Sequence, residues 1–179
     1  AEARRRGAEV TLIASNLAVP PPAGVEIVEA PTAEAVARET LARAGMDVVL
    51  MAAAVADYRP ANPDEKKRPK DDEPWTVTLE PTADVLRELG ARRTNGQLLV
   101  GFAADRGERG LERAREKLVS KRADLVVFND VSREDVGFDS PDNEVVLVSA
   151  EGERRIEKSA KELVAAAILD EVAERLEVG

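Results

Sequence analysis

A chain of 179 residues with 44% hydrophobic content is long enough to bury a core as one domain without metal or disulfide support. It has no cysteine and no histidine, which excludes thiol nucleophiles, imidazole bases, Ser-His-Asp triads and Cys/His zinc sites. The net charge of -9 argues against a general nucleic-acid binder; with no run near the ~18 apolar residues of a membrane span and no visible signal peptide, the expectation is a cytoplasmic protein with neither nucleic-acid nor membrane partners.

In chain order, residues 1–6 read as the end of a helix stopped by Gly7, residues 9–15 as a buried strand, and the Pro20-Pro-Pro-Ala-Gly stretch as a loop into a strand at 25–29. Thr32 caps a predicted helix running to about 44. Residues 47–56, Asp-Val-Val-Leu-Met-Ala-Ala-Ala-Val-Ala, are so uniformly apolar that they predict a strand buried on both faces of a parallel sheet. That run ends at Asp57-Tyr58-Arg59-Pro60, and in open parallel sheets ligands bind beyond the strands' carboxyl ends.

A Pro- and Lys-rich excursion over 59–74 precedes Trp-Thr-Val-Thr-Leu-Glu at 75–80, whose alternation predicts a strand exposed on one face. Thr82 is expected to cap a helix to about 89, followed by a strand at 98–103, a helix at 108–122 and a buried strand at 125–128. Residues 144–149 and 154–157, joined through Glu151-Gly152, read as a hairpin. The closing helix at 159–176 is expected to turn Leu163, Ala167 and Leu176 inward. Strands alternating with helices predict an α/β fold.

Four features can carry chemistry. The loop at 64–73 holds four basic and five acidic residues, which suits either a solvated connection or a lid whose lysines close over an anion. The helix at 108–122, with Arg106 before it, carries seven basic residues against three glutamates, and Arg113, Lys117 and Lys121 recur every four residues on one face. Such a stripe suits a polyphosphate as well as it suits solvent. The ends Phe102…Asp105 and Asn129-Asp130 are expected to meet Asp57 at one crevice, and residues 137–143 form a turn-rich approach to the hairpin.

Ala52-Ala-Ala-Val-Ala-Asp-Tyr-Arg-Pro, the Lys-rich loop, Pro81-Thr-Ala-Asp-Val-Leu, Val100-Gly-Phe-Ala-Ala, Ala114-Arg-Glu-Lys-Leu…Lys121, Asp124-Leu…Asn129-Asp130 and Phe138…Asn143, in this order, resemble the phosphopantothenate-cysteine ligase family over essentially the whole chain. The resemblance implies a Rossmann-like three-layer α/β fold with helices on both faces, a strand excursion at about 59–80 acting as a dimer arm, and a C-terminal hairpin. It also implies an acid-amine ligase, unrelated to ATP-grasp enzymes, that joins 4'-phosphopantothenate to L-cysteine through an acyl-cytidylate made from CTP with Mg²⁺.

By the same resemblance Lys66, Lys117 and Lys121 would contact the nucleotide's phosphates, Lys66 being the candidate with a catalytic part, with Lys67 beside it. Ala53 and Asp57 would hold the nucleotide, Thr82, Ala83, Asp84, Val85 and Phe102 would line its pocket, and Asn129 would support it. The family's first strand, Gly-Gly-Thr loop and Asn-x-Ser-Ser-Gly-Lys segment have no match in residues 1–179, so the expectation is a single ligase domain present as a fragment, inactive alone. Flavin would enter only through a fused decarboxylase half, and a homodimer, or a higher assembly if so fused, is expected. The other readings are a non-catalytic nucleotide-binding or dimerisation module, and a nicotinamide-dependent oxidoreductase; the latter needs a Gly-x-Gly-x-x-Gly turn that this sequence lacks.

Overall fold

The computed structural model describes residues 1–64, 66, 67, 69, 70, 72, 74–132 and 140–178. Its elements are α1 (Glu2–Arg5), β1 (Thr11–Ala14), β2 (Glu26–Glu29), α2 (Ala33–Ala42), β3 (Val48–Met51), β4 (Tyr58–Pro60), β5 (Leu79–Pro81), α3 (Val85–Arg92), β6 (Leu98–Asp105), α4 (Gly107–Lys121), β7 (Leu125–Asp130), β8 (Asp142–Ser149), β9 (Gly152–Ala160) and α5 (Lys161–Val178).

Five strands form the central sheet in the order β3-β6-β7-β8-β9. The first three run parallel, and the hairpin of β8 and β9 adds antiparallel strands at one side. β1 and β2 make a separate parallel pair, β4 and β5 a short antiparallel ribbon.

Alternation along β7 shows why the molecule is layered, since successive side chains leave a strand on opposite faces. Val126 and Phe128 pack with Ala114 and Leu118 of α4, whereas Leu125 and Val127 pack with Val164, Ile168 and Val172 of α5. Leu99 of β6 is buried beneath Val85, Leu86 and Leu89 of α3. The result is a mainly parallel sheet between two helical layers, a Rossmann-like α/β fold. β9 exposes Glu153, Arg154 and Arg155, a charged edge that discourages further strand pairing.

Several expectations need correction. β3 stops at Met51 instead of continuing to 56, and Leu50 remains 42% exposed, so this strand is not buried on both faces. Between 75 and 80 only Leu79 and Glu80 lie in a strand. Leu163 and Leu176 are exposed, because the buried face of α5 consists of Val164, Ile168 and Val172, spaced by four. The hairpin strands are longer than expected. Residues 137–139 of the turn-rich approach lie outside the described residues.

Candidate functional site

The site is assembled around the start of α3. Pairing of β4 with β5 sets Tyr58 opposite Pro81, and the next residues close the ribbon. The Thr82 N–H donates to the Asp57 carbonyl at 2.9 Å, and its hydroxyl donates to the Ala56 carbonyl at 2.6 Å. Thr82 is thereby committed to the strand side and does not cap the helix. Asp84 does so instead, its Oδ1 accepting the Arg87 N–H at 3.1 Å. Both residue types are good caps, and the ribbon's hydrogen bonds decide between them.

Opposite this turn, α4 carries Lys117 and Lys121 one turn apart. Side chains of a helix lean toward its amino end, which points both lysines up the sheet. The Lys121 ammonium forms an ion pair with Asp84. Lys117 is half-buried, and its Nζ donates to the Phe102 carbonyl at 2.6 Å. Gly101 makes room for this arrangement: a Cβ there would sit 2.8 Å from Leu86 Cδ2 and 3.7 Å from Lys117 Cε.

The electrostatics follow from these distances. Burial pulls the Lys117 ammonium below its ordinary pKa, and repulsion from Lys121 adds to the effect, while Asp84 and Asp57 oppose it. For Asp84, burial pushes the carboxyl up, but the bonds from Lys121 and the Arg87 N–H, with their charges, hold it below the usual carboxylate range. Two lysines and two aspartates thus act on one another at one place, beside the amino end of α3. The amino end of α3 and the two ammonium groups are donor types that an anion uses, and the two carboxylates oppose it.

The structure brings together Asp57, Thr82, Asp84, Lys117, Lys121 and the backbone of Phe102. The Phe102 ring turns to the other face of the sheet and packs against the core beneath α5. Val85 is buried under the sheet, Ala83 is exposed beside Asp84, and Ala53 lies in the exposed segment between β3 and Asp57. Lys66 and Lys67 are both exposed and, among the described residues, no hydrogen bond or ion pair ties either to the cleft.

Asp105 and Asp130 face the turn into α4 and not an open crevice: Asp130 Oδ1 accepts the Gly107 and Ser132 N–H groups at 3.1 and 2.9 Å. Asp105 pairs with Arg113 at 2.9 Å, which removes Arg113 from the cationic stripe. Asn129 presents a buried Oδ1 that has no hydrogen-bond partner among the described residues. In the sequence Asp84 is marked only as a helix-start aspartate three residues ahead of Arg87, and its ion pair with Lys121, 37 residues away, has no sequence signal. Among the described residues no group of three or more acidic side chains is placed to hold a metal ion.

Residues 1–176 match the model of the DNA/pantothenate metabolism flavoprotein C-terminal domain. The chain is 41% identical over 182 residues to the coenzyme A biosynthesis bifunctional protein CoaBC of Mycolicibacterium smegmatis, covering 94% of this chain and 44% of that protein. It is 34% identical over 173 residues to the CoaBC protein of Vibrio vulnificus strain CMCP6, covering 95% and 43%. The chain therefore spans less than half the length of these curated relatives. A crystal structure of the C-terminal domain of a CoaBC protein superposes with a TM-score of 0.80 at 31% identity, over 99% of this chain and 79% of that one. With the family model matched over nearly the whole chain, the chain belongs to the DNA/pantothenate metabolism flavoprotein C-terminal domain family.

Proposed function

We propose that this domain supplies the nucleotide-activation site of a phosphopantothenate-cysteine ligase in coenzyme A biosynthesis. The observation that carries the reading is the meeting of Lys117, Lys121, Asp57 and Asp84 at the start of α3, in a chain whose relatives are coenzyme A biosynthesis proteins. In the first step a carboxylate oxygen of 4'-phosphopantothenate attacks the α-phosphorus of CTP. The acyl-cytidylate forms and pyrophosphate leaves. In the second, the cysteine amine attacks the acyl carbon, an amide forms, CMP leaves and the amine loses a proton.

The first step brings two anions together. Lys117 and Lys121 offset that repulsion and hold the departing pyrophosphate, and Lys66 of a second copy would add a third cation. Mg²⁺, when bound to the triphosphate, supplies further charge neutralisation. Asp57 and the 82–85 turn orient the nucleotide, and Ala53 leaves space beside it. Flavin belongs to a decarboxylase half, and no step here involves it.

Tyr58, Trp75, Val77 and Leu79 are 61%, 60%, 44% and 55% exposed along and beside the β4–β5 ribbon. An apolar surface of this kind on a two-stranded ribbon fits pairing with a second copy, which would carry the Lys-rich loop toward a neighbouring site.

The test is pyrophosphate release by the intact protein. Release should require CTP and 4'-phosphopantothenate, and CMP release should additionally require cysteine. Pyrophosphate release that ignores 4'-phosphopantothenate, or no CTP binding at all, overturns the assignment.

A further inference from the structure

Asp84 stands where an incoming phosphate would find its donors. Its Oδ1 takes the Arg87 N–H at the amino end of α3, and its other oxygen takes the Lys121 ammonium. These are the donor types that a phosphate oxygen uses at a helix start flanked by lysine. Among the described residues Lys117 has no carboxylate partner of its own, and it spends a hydrogen bond on the Phe102 carbonyl. Asp84 and Asp57 are the anions that offset its repulsion from Lys121.

We propose that Asp84 is an internal counter-ion of the lysine pair, a carboxylate that occupies the anion position until a phosphate displaces it, and so limits how tightly the cleft holds polyphosphate. This rests on the reading of the cleft as a phosphate site. The side chain of Asp84 is 40% exposed and that of Lys121 23%, so their pairing is partly solvated and easily exchanged for a more highly charged ligand. A nucleotide must push the carboxylate aside, and pyrophosphate leaves more readily because the carboxylate returns. Asp84 acts here as a positioning residue.

The two effects of removing its charge oppose each other. Losing the carboxylate frees Lys121 and removes repulsion toward the phosphate, but it also leaves two ammonium groups facing each other. The second cost is relieved once an anion is bound, so tighter binding wins. Asp84→Asn isolates the charge, because asparagine caps a helix about as well as aspartate.

Inorganic pyrophosphate titrated calorimetrically into the intact protein in metal-free buffer should bind Asp84→Asn about tenfold more tightly than the parent. Pyrophosphate should also become a stronger product inhibitor, whereas Lys121→Met should bind it more weakly. Equal or weaker binding by Asp84→Asn, with parent binding intact and weakened by Lys121→Met, overturns the counter-ion role alone. Should Asp84→Asn lower the melting temperature, Asp84→Ser, another cap, is judged by the same criterion. If neither the parent nor any variant binds pyrophosphate, the phosphate reading falls and the counter-ion role falls with it.

Discussion

The Lys117 ammonium is anchored to the Phe102 carbonyl at 2.6 Å, so this lysine is aimed by a strand and not by a carboxylate. Its anchor is a backbone carbonyl, whereas that of Lys121 is the Asp84 carboxylate. A fixed cation beside an exchangeable one is a useful pairing for a leaving group that must be stabilised and then released.

The lowered pKa of Lys117 gives a pH signature. The folded protein carries fewer protons than the unfolded chain between the lowered value and the ordinary 10.5, so Lys117's contribution to stability rises with pH through that window. Phosphate binding has the opposite sign, because it needs the charged form. Lys117→Met should weaken pyrophosphate binding about tenfold or more at neutral pH. The difference between parent and variant should shrink as pH rises through the window below 10.5. Calorimetric titration across that range checks it, and a gap that stays constant would rule out Lys117 as the titrating contact.

Two glycines allow α3 and α4 to lie close together. A Cβ on Gly90 would lie 2.0 Å from the backbone oxygen of Lys121, and backbone cannot give way as a side chain can. Gly90→Ala should therefore cost on the order of 3 kcal/mol or more, and it should displace the end of α4 that carries Lys121. At Gly101 the nearest obstacle is the flexible Leu86 side chain, and Gly101→Ala should cost only about 1–2 kcal/mol. Denaturant melts rank the two. Equal losses would show that the helices can slide apart at little cost.

What could be read from sequence was local. Thr32 does cap its helix, with the Ala35 N–H bonded to its hydroxyl at 3.1 Å, and the cationic periodicity of 108–122 does lie on a helix that delivers Lys117 and Lys121 to one cleft. The family resemblance likewise rested on ordered short motifs that needed no geometry. The misplaced features depend on distant partners. Thr82 reads as a cap in the sequence because the ribbon that holds it to Ala56 joins residues 26 apart. β3 is shorter than the apolar run 47–56 because three small alanines look apolar yet offer little to bury, and the strand pairs with β6 only as far as Met51. In α5 apolar residues occupy so many positions that several faces look equally suitable, and only the packed sheet selects Val164, Ile168 and Val172.

At the other end of the sheet Arg93 forms a clasp. It donates to the carbonyls of Gln97 and Arg122 at 2.7 and 3.2 Å and to Asp124 at 2.9 Å, and Asp124 in turn accepts the Leu99 N–H at 2.8 Å. The clasp ties the ends of α3 and α4 to the starts of β6 and β7. Arg93→Met keeps the aliphatic stem but removes all three bonds, and it should cost about 1–3 kcal/mol. Because the cleft is built from other contacts, pyrophosphate affinity should change by less than about twofold, within ordinary additivity for separate sites. A large loss of affinity at unchanged stability would place Arg93 in the site.

The β4–β5 ribbon supplies the last test. It has three residues in each strand, and an isolated two-stranded hairpin is marginal in water, so this one needs other support. Arg59 gives some, bridging Glu80 at 2.8 Å and Glu34 at 3.2 Å, but these are exposed pairs of small value. The apolar side chains of Tyr58, Val77 and Leu79 remain exposed. If a second copy covers them, Leu79→Asp places a charge in the contact and should convert a dimer to a monomer, read as a halved mass in light scattering. Activity should fall with it, because the Lys-rich loop would lose its neighbouring site, while pyrophosphate binding at Lys117 should persist. An unchanged mass in the variant, or a parent that is already monomeric, would refute the arm.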